Sequence, residues 1–162
     1  MTTRRTGDLA AALAALLLSI AAACGPAARS PLDQAVTAAV QRYNEALVGA
    51  YARADAGALA LVATPGEQQR VEDLIGFLSQ GRMVLDARQE SFELRGGARE
   101  ERPDRASADV SEVWWYRHVV PATGEVKQAP RRVRYVNRYN LVRVDGRWLV
   151  DRLQETGFEE LR

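Results

Sequence analysis

Glu112 and His118 are the residues of this 162-residue chain best suited to move a proton. They fall on a stretch that alternates apolar and polar residues, with Ala106, Ala108, Val110, Trp114 and Tyr116 in the same phase. A strand there turns all of these side chains to one face. Six residues of strand separate the carboxylate from the imidazole by about 20 Å, too far for a direct acid–base pair. Further on, Tyr135, Asn137 and Tyr139 alternate in the same way and would add hydroxyl and amide groups to such a face. The candidate pocket residues are therefore Glu112, Trp114, Tyr116, His118, Tyr135, Asn137 and Tyr139. Core and rim packing is the ordinary role of the aromatic ones.

Arg132, Arg134 and Arg138 form a second candidate group, a basic sheet face for anionic headgroups or an acidic partner. The plain alternative is a surface ladder paired with acids. Lys127 is the one lysine among 22 basic residues, so the arginine bias is compositional and is not read as phosphate recognition. One Cys and one His, with no CxxC, HExxH or paired His, leave no metal centre to expect, and nothing calls for a cofactor. Residues 1–23 hold Arg4, Arg5 and Asp8; without them the chain has 20 basic and 20 acidic residues. Such a balance argues against nucleic acid as a partner, because duplex binding is dominated by phosphate neutralisation.

The elements that must carry these residues change period partway along the chain. Ser30-Pro31-Leu32-Asp33 starts a helix with a capping serine, proline at the first turn and an acid at N3. Apolar residues then recur from Leu32 to Ala54 in steps of three and four, with Thr37 and Asn44 off the stripe. A short second helix is expected from Ala56 to Leu61. A third is expected from the Thr64-Pro65-Gly66-Glu67 capping pattern to a left-handed cap at Gly81. Period two follows: Met83 to Arg95 with an irregularity near Gln89, then a loop from Gly96 to Asp104. A long strand follows from Arg105 to Val120, with a turn at Pro121–Gly124 and a third strand clearest from Arg132 to Val144. Asp145-Gly146 predicts a two-residue type I′ hairpin into a last strand ending near Phe158. The expected class is α+β: three N-terminal helices packed on a curved four-stranded antiparallel sheet, in one domain over 31–162.

The amino terminus reads as an address. Its apolar run from Leu9 to Ala23 would make a helix of about 22 Å, short of a hydrocarbon core of about 30 Å. Ala21-Ala22-Ala23-Cys24 resembles the lipobox of a bacterial lipoprotein signal, with Ala where Leu is usual. The resemblance implies a signal peptide over 1–23, an acyl anchor such as palmitate on Cys24, and a tether over 24–30. An ordinary secretory signal or an uncleaved anchor is the alternative. It also implies a bacterial cell envelope location, on the outer side of the cytoplasmic membrane or on the outer membrane.

The ending Tyr139-Asn140-Leu141-Val142-Arg143-Val144-Asp145-Gly146-Arg147-Trp148-Leu149-Val150 resembles the nuclear transport factor 2-like superfamily, a cystatin-like cone. Within it, the long helical start and the Tyr135-x-x-x-Tyr139-x-Leu141 run are similar to the IMS-type domain of plastid-division proteins and to bacterial lipoproteins of unknown role. The resemblance implies a cone whose sheet and long helix enclose a pocket. It is compatible with a non-enzymatic lipoprotein that binds a protein partner or a small apolar ligand, the expectation adopted. The alternative is an enzyme of the isomerase, dehydratase or cyclase type using a pocket acid such as Glu112.

Overall fold

The computed structural model describes residues 29–162, so the signal peptide, Cys24 and most of the tether lie outside the described residues. The chain folds as helix α1 (Pro31–Arg53), a 3-10 turn (Gly57–Leu61), helix α2 (Pro65–Gln80) and four strands: β1 (Val84–Arg102), β2 (Arg105–Val119), β3 (Val126–Val144) and β4 (Arg147–Leu161). The strands pair antiparallel in the order β1-β2-β3-β4. No helix among the described residues is long and apolar enough to cross a membrane.

Two α-helices, not three, precede the sheet, which corrects the expected architecture. The segment from Ala56 to Leu61 is too short to recover the cost of nucleating an α-helix, and it closes as a single 3-10 turn. Leu59 plugs the core from this turn, and its carbonyl accepts from both Val62 and Ala63. Ala63 then bridges to Val150 of β4, which fixes where α2 begins.

α1 starts with the expected capping box: the Ser30 hydroxyl accepts from Asp33 N, and the Asp33 carboxylate accepts from Ser30 N. Its apolar stripe is buried, but so are Thr37 and Asn44, which the stripe excludes. α2 departs further from expectation. The Thr64 side chain makes no cap bond, and Glu67 is buried instead of bonding back to the helix start. Gly81 has φ −79°, so the left-handed residue is the next one, Arg82, at φ 54°. A Cβ at Gly81 would lie 2.6 Å from the Met83 methyl carbon, the movable end of a flexible side chain.

The ladder shifts register between Gln89 and Ser91, and that shift puts Leu85 and Ala87 on the same face as Phe92 and Leu94. β1 does not end at Arg95. Gly96 and Gly97, at φ 69° and 81°, absorb an irregularity in the ladder, which resumes at Ala98. The Asp33 carboxylate accepts from Ala98 N at 2.6 Å and pins this part of β1 to the start of α1. β3 and β4 likewise run beyond their expected limits, and Asp145 and Gly146 both have positive φ, as a type I′ turn requires. The core lies between α1, the 3-10 turn, α2 and one face of the sheet, with Tyr43, Tyr139, Leu59 and Leu141 at its centre.

Candidate functional site

Antiparallel register sets which side chains share the helix-facing side. Phe92, Glu112, Tyr135 and Phe158 lie opposite one another across all four strands, and opposed residues point the same way. Two rows over, Ala98, Ala108, Tyr139 and Leu153 do the same. α1 crosses this face and lowers Tyr43 and Asn44 into it, while α2 brings Glu67 and Arg70.

Two carboxylates are thereby buried, Glu112 at 1% exposure and Glu67 at 2%. Around Glu112 the partners are uncharged. Its Oε1 accepts from Asn44 Nδ2 at 2.6 Å and Gln89 Nε2 at 3.0 Å. Its Oε2 accepts from Asn137 Nδ2 at 2.8 Å and Trp114 Nε1 at 3.2 Å. The Tyr139 hydroxyl lies 3.1 Å from each oxygen and from Asn44 Oδ1, so its one proton is shared among three acceptors. Four N–H donors and a hydroxyl occupy nearly all the acceptor positions a carboxylate has. The carboxylate is thus engaged by groups of the protein itself.

Glu67 is satisfied differently. It accepts from the Tyr43 hydroxyl at 2.5 Å, from Arg70 Nε at 2.9 Å and Nη2 at 2.5 Å, and from Leu153 N at 3.4 Å. Tyr43 and Tyr139 meet edge to face with centroids 6.2 Å apart, linking the two carboxylate clusters through their rings. Burial, with Glu67 beside it, pushes the Tyr43 hydroxyl well above its ordinary range, and burial with Glu112 nearby does the same to Tyr139. Burial pushes Tyr51 up to about 12, and burial followed by the Tyr116 hydrogen bond raises Tyr135. None of these phenols supplies a phenolate base near neutral pH.

Beside Glu112 the helices stand away from the sheet and leave a cleft of about 290 Å³. Leu47, Tyr51, Leu74, Leu85, Ala87 and Leu153 provide apolar wall, and Arg70 and Glu155 provide charge. Of the candidate pocket residues, Glu112, Trp114, Tyr116, Tyr135, Asn137 and Tyr139 line this cleft. His118 does not. It lies further along β2, edge-on to Tyr116 with centroids 6.2 Å apart, and its buried Nδ1 has no partner among the described residues. Among the described residues no group of three or more His, Cys, Asp or Glu could hold a metal ion. Sequence reasoning missed Asn44, Glu67 and Arg70. The available signal for the last two was the i, i+3 acid–base spacing on α2.

The basic candidates point away from the cleft and are neutralised. Arg132 bonds Glu90 at 2.5 Å, Arg134 bonds Glu159 at 2.7 Å, and Arg138 holds Asp109 through two nitrogens at 2.8 and 3.1 Å. This face is a ladder of ion pairs, not a bare basic surface. Hydrogen bonds from Arg138 and then Arg99 hold the Asp109 carboxyl down at about 2, against an ordinary value near 3.8. A depressed carboxyl stabilises the fold above its unfolded value and loses that contribution as pH falls from about 4 to about 2. The urea midpoint of Asp109→Asn should accordingly fall less steeply than wild type over that window. Parallel midpoint–pH curves would show that the pairing contributes nothing.

No family model matches the chain, and no curated protein matches it. Among solved structures it is similar to the intermembrane space region of chloroplast protein ARC6, with a TM-score of 0.66 at 13% identity. The match covers 76% of this chain and 95% of that one. At that identity the likeness is one of fold alone.

Proposed function

We propose that this protein is an envelope lipoprotein anchored through Cys24, whose domain binds an apolar group of a protein partner or a small apolar ligand in the cleft, without catalysis. The cleft itself carries the reading. It has apolar walls, and its rim continues into exposed Leu74, into Phe77 one turn beyond on α2, and into Phe158, the cross-strand neighbour of Tyr135. Phe77 is 70% and Phe158 66% exposed, an uncommon disposition for phenylalanine unless something covers it. A space of about 290 Å³ is small for a drug-sized ligand and suits one or two large apolar groups. Glu112, the acid an isomerase or cyclase would use, is already engaged by donors of the protein itself, which favours binding over proton transfer.

Ala87 lines the cleft from β1, and tryptophan there would fill it from a strand position that tolerates large aromatic residues. Ala87→Trp should weaken binding of the apolar fluorophore anilinonaphthalene sulfonate at least about tenfold, the equivalent of about 1.4 kcal/mol, at an unchanged melting temperature. Equal affinity in the two proteins would overturn the assignment of the cleft as the binding site.

A further inference from the structure

The route from Cys24 into the fold limits how the domain can stand on a membrane. Six residue steps separate Cys24 from Ser30, a span of at most about 20–22 Å. α1 begins beside Ala98, where Asp33 grips β1. From Ala98 the β1–β2 hairpin continues five residues to Pro103, about 17 Å at 3.3 Å per residue. Its tip stands beside the β3–β4 tip, since Arg143 N donates to Asp104 O and Arg105 pairs with Val142. If acyl chains on Cys24 enter a bilayer, these two tips come within a few ångströms of its surface whenever the domain stands on this end.

The same end carries side chains suited to such a surface. Val144 is 42% exposed at the β3–β4 tip, and the Arg143 guanidinium lies over the Trp148 ring at 5.9 Å. Leu61, 70% exposed, is brought alongside by the parallel bridge that sets Ala63 against Val150. Among the described residues Arg102, Arg143 and Arg147 have no ion-pair partner, unlike Arg132, Arg134 and Arg138. Glu101, Asp104 and Asp145 are interspersed, so the end is mixed in charge and the contact does not depend on anionic lipid. The other apolar patch, Leu74 with Phe77 and Phe158, lies away from the tips. Phe158 stands in the row of Phe92, Glu112 and Tyr135, eleven residues and roughly 36 Å along β1 from the tip at Pro103. A domain standing on its tips therefore holds this patch off the bilayer.

We infer that the paired β1–β2 and β3–β4 tips, with Leu61, Val144 and Trp148, form a membrane-resting face that holds the cleft away from the bilayer. This rests on the anchoring at Cys24 proposed above. The test uses the full chain purified from bacterial membranes into phosphatidylcholine vesicles, with a nitroxide on Val144→Cys or, at the opposite end, on Ala122→Cys. Intact mass of the same samples reports acylation of Cys24. The inference requires the label at Val144 to be several-fold less accessible to a water-soluble nickel relaxant than the label at Ala122, and closer to the lipid. Equal accessibility in an acylated sample overturns the resting face and leaves the anchor standing. Absence of the acyl mass overturns both.

Discussion

Replacing Glu112 with leucine should cost the domain about 3–5 kcal/mol, a large share of the roughly 5–15 kcal/mol that holds a domain of this size together. The carboxylate is 1% exposed, and its donors come from α1 and three strands: Asn44, Gln89, Trp114, Asn137 and Tyr139. Leucine offers none of them an acceptor. Gln89 and Trp114 are only half-buried and can turn toward water, which softens the loss. Asn44 and Asn137 cannot, while the Tyr139 hydroxyl keeps Asn44 Oδ1 as an acceptor; each orphaned buried group costs about 1–3 kcal/mol without full additivity. Glutamine is the sharper variant because it preserves shape. Each carboxylate oxygen faces two N–H donors, so whichever way the new amide turns, its own N–H₂ meets two of them. Glu112→Gln should therefore cost about 1–3 kcal/mol by urea titration. A glutamine variant as stable as wild type would mean that the site does not hold a carboxylate, and the case against proton transfer at Glu112 would fall with it.

The features legible in the sequence were those that local chemistry determines. The Ser30-Pro31-x-Asp33 start, the irregularity after Gln89 and the Asp145-Gly146 turn depend on a few neighbouring residues, and each appears where expected. The alternation on β2 and β3 likewise placed six of the seven pocket candidates around one cleft. Misreadings occurred where a distant partner decides. Asn44 breaks the apolar stripe of α1 in sequence, yet it is buried because Glu112, on a strand 68 residues away, requires a donor there. Glu67 looks like half of a capping box until Tyr43 and Arg70 draw it inward. Gly96-Gly97 reads as a loop because two glycines in a row usually end a strand, whereas here Asp33 holds the chain on the ladder beyond them. The arginine ladder could not be told from a bare basic face until the register placed Glu90, Asp109 and Glu159 beside it.

Arg70→Ala should destabilise the protein more than removing the whole charged cluster does. Glu67 is buried, whereas the Arg70 side chain is 43% exposed at the cleft. Taking away the arginine leaves a buried carboxylate facing the Tyr43 hydroxyl and a single backbone N–H. That loss should be about 2–4 kcal/mol, at or below the range for breaking a fully buried pair because water reaches the arginine side. Combining Glu67→Leu, Arg70→Met and Tyr43→Phe removes both charges and the Tyr43 hydroxyl that would otherwise be orphaned, adds apolar volume to the core, and leaves only the long Leu153 N–H contact without its acceptor. Exchanges of this kind are often neutral or better, since the desolvation penalty disappears together with the attraction. The triple variant should therefore unfold at a higher urea concentration than Arg70→Ala alone. The opposite order would show that the pair contributes net stability and that its burial is more than compensated by its hydrogen bonds. It would also show that the polar wall of the cleft is part of what holds α2 to β4, so that a ligand disturbing Arg70 would loosen the helix as it binds.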